Sequence, residues 1–192
     1  VTETKVEKAK VTVNGTPTFD DGVTLNGTTD YLDYDIWAEE LNSANISIVI
    51  VFYPDFDYDG DDDYCIFDTE SGKRFAVVKP DNAANNVLSV YLGNTLIADI
   101  AEATYSDAWE VGAKNVLTIS GTTGDTDAWL NGTQILTADA TAWSATDPIE
   151  LYIGADNAGA NFFDGKITKF RVFQNLLSED EHNLYYNDTL TD

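Results

Sequence analysis

Six of the nine residues from Asp55 to Asp63 are aspartates, in the run Asp55-Phe56-Asp57-Tyr58-Asp59-Gly60-Asp61-Asp62-Asp63. Oxygen ligands at alternate positions, with a glycine for the tight turn, are what a hard cation such as Ca2+ requires. Asp55, Asp57, Asp59, Asp61 and Asp63 are therefore the candidate metal ligands, and Ca2+ is the cofactor they could hold. Crowded carboxylates also repel one another, a cost that a cation would relieve. The run starts like an EF-hand loop, but Ile66 stands where that loop needs a bidentate glutamate, and apolar strand flanks it in place of helix. The competing reading is the solvated tip of an acidic hairpin.

Other chemistry finds less. The single histidine, His182, lies in a predicted C-terminal helix with no G-x-S-x-G motif and no partner array, so nucleophilic catalysis has no candidate. Glycosidic bond hydrolysis needs two carboxylates facing each other across a sugar. Glu39-Glu40 and Glu179-Asp180-Glu181 fall on predicted helical turns and Glu150 stands alone. No catalytic residue is assigned, and the chain is expected not to hydrolyse polysaccharides. Exposed aromatic rings can still serve as platforms for sugar faces. Tyr91, Trp109, Trp129 and Trp143 are the candidates for ligand binding, although such rings are more often core.

The chain that must position these residues has 192 of them, enough for one sandwich-sized domain with a real core. It carries 34 acidic against 10 basic residues, a net charge of −24. A field of that sign repels nucleic acid and anionic membrane, and both are excluded as partners. Three of the ten basic residues, Lys5, Lys8 and Lys10, sit in residues 1–13. That stretch reads as an arm or edge strand, either solvated or docking on an acidic neighbouring subunit. Cys65, the one cysteine, cannot form an internal disulfide and reads as a buried small hydrophobe. No apolar run reaches membrane-spanning length. Asn14, Asn26, Asn45, Asn131 and Asn187 open N-x-[ST] triplets, three of which are Asn-Gly turns that explain themselves locally.

The elements read as β almost throughout. Strands are expected over 10–13, 23–26, 31–34, 46–53, 64–67, 74–79, 87–92, 95–100, 115–120, 126–131, 134–137 and 151–153, with Asn-Gly turns among the connections. Ile46 to Tyr53 (ISIVIVFY) is nearly all β-branched or aromatic, as a strand buried on both faces requires. Ile36 to Leu41 could form one helical turn carrying Trp37. After the Asp164-Gly165 turn, Thr168, Phe170 and Val172 alternate with Lys169, Arg171 and Phe173. Ser178 and Glu181 have capping-box spacing ahead of Leu184 and Tyr185, which predicts a short last helix. About a dozen short strands separated by turns argue for two packed antiparallel sheets in one domain.

Tyr152-Ile153-Gly154, then Phe163-x-Gly165-x-Ile167-x-x-x-Arg171-x-Phe173, then Leu177-Ser178-x-x-Glu181-x-x-Leu184-Tyr185 is a specific ordered set. It closely resembles the end of a laminin-G-like domain of the concanavalin A-like superfamily. Trp129-Leu130-Asn131-Gly132 and the Val23 to Tyr34 segment are similar to two earlier segments of the same family. The resemblance implies an all-β, two-sheet antiparallel jelly-roll sandwich over residues 14–192, with a short C-terminal helix. Thr168 and Lys169 stand where many family members are acidic, so no calcium ligand is carried over from that strand. The family supplies glycan- and protein-binding modules on cell surfaces, in secreted enzymes and on virus particles. The expectation is therefore a non-catalytic surface attachment module, extracellular or on a virion. The basic arm ahead of an acidic body favours an accessory part of a larger assembly, such as a bacteriophage decoration or appendage protein, partnered by protein subunits. The alternative is a lectin-like module partnered by a glycan.

Overall fold

The computed structural model describes residues 10–35, 41–80 and 86–187. In chain order the strands are β1 (Lys10–Asn14), β2 (Thr18–Phe19), β3 (Val23–Asn26), β4 (Tyr31–Asp35), β5 (Asn45–Pro54), β6 (Tyr64–Thr69), β7 (Ala76–Lys79), β8 (Val87–Leu92), β9 (Thr95–Ala101), β10 (Asn115–Thr122), β11 (Asp125–Leu130), β12 (Thr133–Asp139), β13 (Glu150–Ile153) and β14 (Asp164–Phe173). A one-turn helix, α1 (Glu102–Tyr105), follows β9, and α2 (Glu179–Tyr186) follows β14. The strands form two seven-stranded sheets, β1-β4-β13-β6-β7-β8-β9 and β12-β11-β10-β5-β14-β3-β2, with antiparallel pairing throughout. This is the expected jelly-roll sandwich. The helical turn expected over 36–41 falls on residues outside the described ones, apart from the buried Leu41.

Alternation decides which side chains meet between the sheets. Ile46, Ile48, Ile50 and Phe52 of β5 face Ile66, Phe67, Val77, Leu88 and Val90 of the first sheet, at 1 % exposure or less. The opposite face of β5 is buried too, as its composition required. Val49 and Val51 pack with Val116, Leu177, Phe173 and Tyr185, because the C-terminal segment folds back over the second sheet. Two buried serines fasten that segment. Ser47 Oγ donates to the Asn175 carbonyl at 2.8 Å, and the Leu177 amide donates to Ser47 Oγ and Ser120 Oγ, both at 3.0 Å. The helix then opens with the expected capping box: the Ser178 amide donates to Glu181 Oε2 at 2.7 Å, and the Glu181 amide returns to Ser178 Oγ.

The sandwich thus has one covered outer face and one open one. The outer face of the first sheet carries no helix among the described residues, and it is there, and at the adjoining rim, that polar and aromatic groups gather.

Candidate functional site

Three loops meet at that rim: the β3–β4 turn, the β5–β6 loop and the chain from Gly154 to Asp164. They are tied by Gly27 N donating to Phe163 O (3.2 Å), Asp55 N to Asp164 O (3.0 Å) and Cys65 N to Asn161 O (2.7 Å). Between them lies a polar cavity of about 550 Å3 lined by Asn26, Gly27, Thr28, Asp62, Asp63, Tyr64, Asn161, Phe162 and Asp164. Its two amides are spent on the walls. Asn26 Oδ1 accepts from the amides of Thr28, Thr29 and Asp30, and Asn26 Nδ2 donates to Thr29 Oγ1. Asn161 Nδ2 donates to Asp156 Oδ2 at 2.8 Å, while Asp156 Oδ1 holds the amides of Ala158 and Ala160.

The carboxylates of Asp62 and Asp164 and the Thr28 hydroxyl line the cavity as well. Burial, and then the charge of Asp55, push the Asp164 pKa above its ordinary value. Burial, Asp62 and Asp164 do the same to the Tyr64 phenol. A cavity whose reactive groups are mostly acceptors suits a ligand that brings donors, hydroxyls or an ammonium, and disfavours an anion.

The aromatic wall extends beyond the cavity. Tyr64 stacks on Phe56 with ring centres 3.6 Å apart and planes 7° from parallel. Phe162 lies 6.1 Å from Tyr31, and Tyr31 lies 6.3 Å from Tyr152, so half-exposed rings run from the rim onto the open face of the first sheet. Beside them the structure revises the reading of Glu150. Register sets Glu150 opposite Asp35 and Tyr152 opposite Asp33, all on the open face, because Leu32, Tyr34, Leu151 and Ile153 point inward. Tyr152 Oη donates to Glu150 Oε2 at 2.7 Å. Burial, Glu150 and Asp35 raise the pKa of Asp33, against the pull of Lys10. Glu150 does not stand alone.

The residues singled out from sequence fare differently. Trp109, Trp129 and Trp143 are 6 %, 7 % and 5 % exposed, so none offers the exposed ring for which it was a candidate. Trp109 and Trp143 fill the core and donate from Nε1 to the carbonyls of Phe56 (3.2 Å) and Thr122 (3.1 Å). Trp129 faces outward but is covered by α2, where the His182 ring stacks on it at 3.7 Å. Tyr91 is half-buried under the Arg74 guanidinium, 4.1 Å from its ring centre, and Arg74 is paired with the fully buried Asp68 at 3.0 Å. Asp55, Asp57, Asp59, Asp61, Asp62 and Asp63 are all exposed. Among the described residues, no three His, Cys, Asp or Glu side chains converge as a metal ion would need. Cys65 is buried as expected, and burial drives its thiol pKa well up. Lys5 and Lys8 lie outside the described residues, and Lys10 opens β1 opposite Asp35. The residues that sequence reasoning missed, Tyr64, Phe162, Asp164 and Tyr31, carry only the ordinary signal of strand aromatics and a turn aspartate.

A laminin G family model, described as the concanavalin A-like lectin/glucanases superfamily, matches residues 26–181. The chain belongs to that superfamily. The solved structures similar to this superfamily member include the receptor-binding domain of a botulinum neurotoxin C/D mosaic serotype, at TM-score 0.67 and 14 % identity over 95 % of this chain and 47 % of that one. Another comes from work on botulinum neurotoxin type C, titled for the dependence of cell entry on two ganglioside molecules (TM-score 0.70, 12 % identity, 97 % and 48 % covered). A third is the binding domain of botulinum neurotoxin DC in complex with rat synaptotagmin II (TM-score 0.70, 14 % identity, 96 % and 48 % covered). The chain spans about half the length of the solved structures it matches. At these identities the likeness is one of fold. No curated protein sequence matches the chain. No helix among the described residues is long and apolar enough to cross a membrane.

Proposed function

We propose that this chain is a non-catalytic, lectin-like attachment module that works outside the cell and binds a glycan at the rim cavity. The observation that carries this is the meeting of half-exposed rings (Tyr64, Phe162) with hydrogen-bond acceptors (Asp62, Asp164, Thr28) in one concave site. Superfamily membership and the ganglioside named for one structural neighbour point the same way. The ligand class differs from an anionic glycolipid, however. Carboxylates at the cavity and a net charge of −24 favour neutral or amine-bearing sugars over sialylated, sulfated or uronate-rich ones. The virion-assembly reading leaned on the basic arm ahead of an acidic body, and of the arm's lysines only Lys10 is among the described residues.

Isothermal titration against three matched oligosaccharide sets, neutral, amine-bearing and anionic, tests the reading. Binding is expected from the first two sets. Asp164→Asn and Phe162→Ala should each weaken it about tenfold, a loss of about 1.4 kcal/mol, with the circular dichroism spectrum unchanged. Reducing ends should not be released from any polysaccharide. Absence of binding across the panel, or binding indifferent to both substitutions, would sink the proposal. Hydrolysis abolished by Asp33→Asn or Glu150→Gln would instead make the open face an active site.

A further inference from the structure

The acidic β5–β6 loop, residues 55–63, crosses from one sheet to the other and is held from behind by three side chains that are distant in sequence. Trp109 Nε1 donates to the Phe56 carbonyl at 3.2 Å, Tyr105 Oη to the Tyr58 carbonyl at 3.3 Å, and Lys79 Nζ to the Gly60 carbonyl at 2.7 Å. The carbonyls of Phe56, Tyr58 and Gly60 therefore already have donors, and all three donors belong to residues buried in the body of the sandwich. The last of them is a cation. Lys79 ends β7 opposite Tyr64, its side chain is 0 % exposed, and its ammonium sits 5.7 Å from the Tyr64 ring centre. An ammonium survives at such depth only where hydrogen bonds and opposite charge compensate for lost water. The loop it touches carries six aspartates, whose mutual repulsion a positive charge relieves.

We infer that the buried Lys79 ammonium is the built-in counter-cation of the acidic β5–β6 loop, and so the residue that positions Asp62, Asp63 and Tyr64 in the rim cavity without a divalent metal. The two otherwise unfavourable features, a dry ammonium and a crowd of carboxylates, answer each other. Three of the loop's backbone carbonyls are already engaged by protein donors. The inference does not depend on what the cavity binds.

The test uses the whole chain, with thermal unfolding and amide hydrogen exchange over 55–63 as readouts, each in chelator and in millimolar Ca2+. The wild type should unfold within about 1 °C of the same midpoint in both conditions. Lys79→Met should raise exchange in the loop about tenfold or more and lower the midpoint. The second change separates charge from packing. Adding Asp61→Asn and Asp62→Asn to Lys79→Met should restore much of the loss, since fewer carboxylates then need a counter-charge. If Lys79→Met proves too unstable to purify, recovery of a folded triple variant supports the inference by itself. A wild type stabilised by several degrees in Ca2+, a Lys79→Met loop as protected as the parent's, or a triple variant no better than Lys79→Met would each overturn it.

Discussion

Acidification from pH 7 to pH 4 is expected to strip about 3 kcal/mol of stability from the wild type relative to a His182→Phe variant. His182 is 2 % exposed, stacked on Trp129 beneath α2, and neither ring nitrogen has a hydrogen bond of ordinary geometry among the described residues. Burial depresses its pKa from 6.5 to about 4, with the Leu177 backbone, Asp127 and Glu181 pulling weakly the other way. The unfolded chain thus takes up a proton near pH 6.5 that the folded chain refuses until about pH 4. The stabilising contribution is whole above pH 6.5 and is lost as pH falls through that window. Phenylalanine keeps the stacked ring and removes the titration.

The difference between the two proteins is the quantity to measure, because other groups move the other way. Burial raises the pKa of Asp33, Asp68 and Asp164, so each folded carboxyl binds its proton early and gains stability in acid. Protonation also relieves the repulsion of a chain with net charge −24. Urea unfolding of both proteins at half-unit steps of pH isolates the histidine. Parallel stability curves would refute a buried, neutral His182 as the acid-labile contact between α2 and the second sheet.

Much of this architecture was legible because it is periodic. The nearly all-apolar β5, the alternation in β14 beyond its bulge and the Ser178–Glu181 spacing each announce a local geometry that the fold keeps. Where the pattern misled, the cause is specific. A bulge between Ile167 and Lys169 makes Thr168 the extra residue, its hydroxyl turned to the Val51 carbonyl, so Ile167 and Phe170 both reach the core. Two-residue β2 and one-turn α1 are too short to carry a period. The site was less legible than the fold because it is made by register. Nothing local says that Asp35 and Glu150 sit opposite each other, or that Lys79 will lie beneath Gly60. Tryptophans draw attention as sugar platforms, yet a large ring is what a seven-on-seven sandwich needs to fill its interior.

Gly165→Ala should be the most damaging single-methyl change at the rim, costing about 4 kcal/mol or more. Gly165 pairs with Leu25 on one side and Pro54 on the other, with φ at +129°, a region closed to side-chain-bearing residues. A Cβ there would stand 2.1 Å from the Tyr53 carbonyl oxygen and 3.0 Å from the Asp55 amide. Both obstacles are backbone of the neighbouring strand and its exit, so neither can rotate away. Relief requires β14 to part from β5 where Asp164 and the β5–β6 loop enter the cavity. For a domain of ordinary stability, about 5–15 kcal/mol, that leaves little margin, and glycan binding should fail before global unfolding does. Gly72→Ala is the control. Its φ is also positive, at +88°, but its Cβ would meet nothing within 4 Å, so only the backbone preference is lost, about 1 kcal/mol. Chemical denaturation of the two variants should therefore separate by about 3 kcal/mol. Equal losses would mean that the β5–β14 pair yields easily at this point, and that the rim owes its shape to the loops alone.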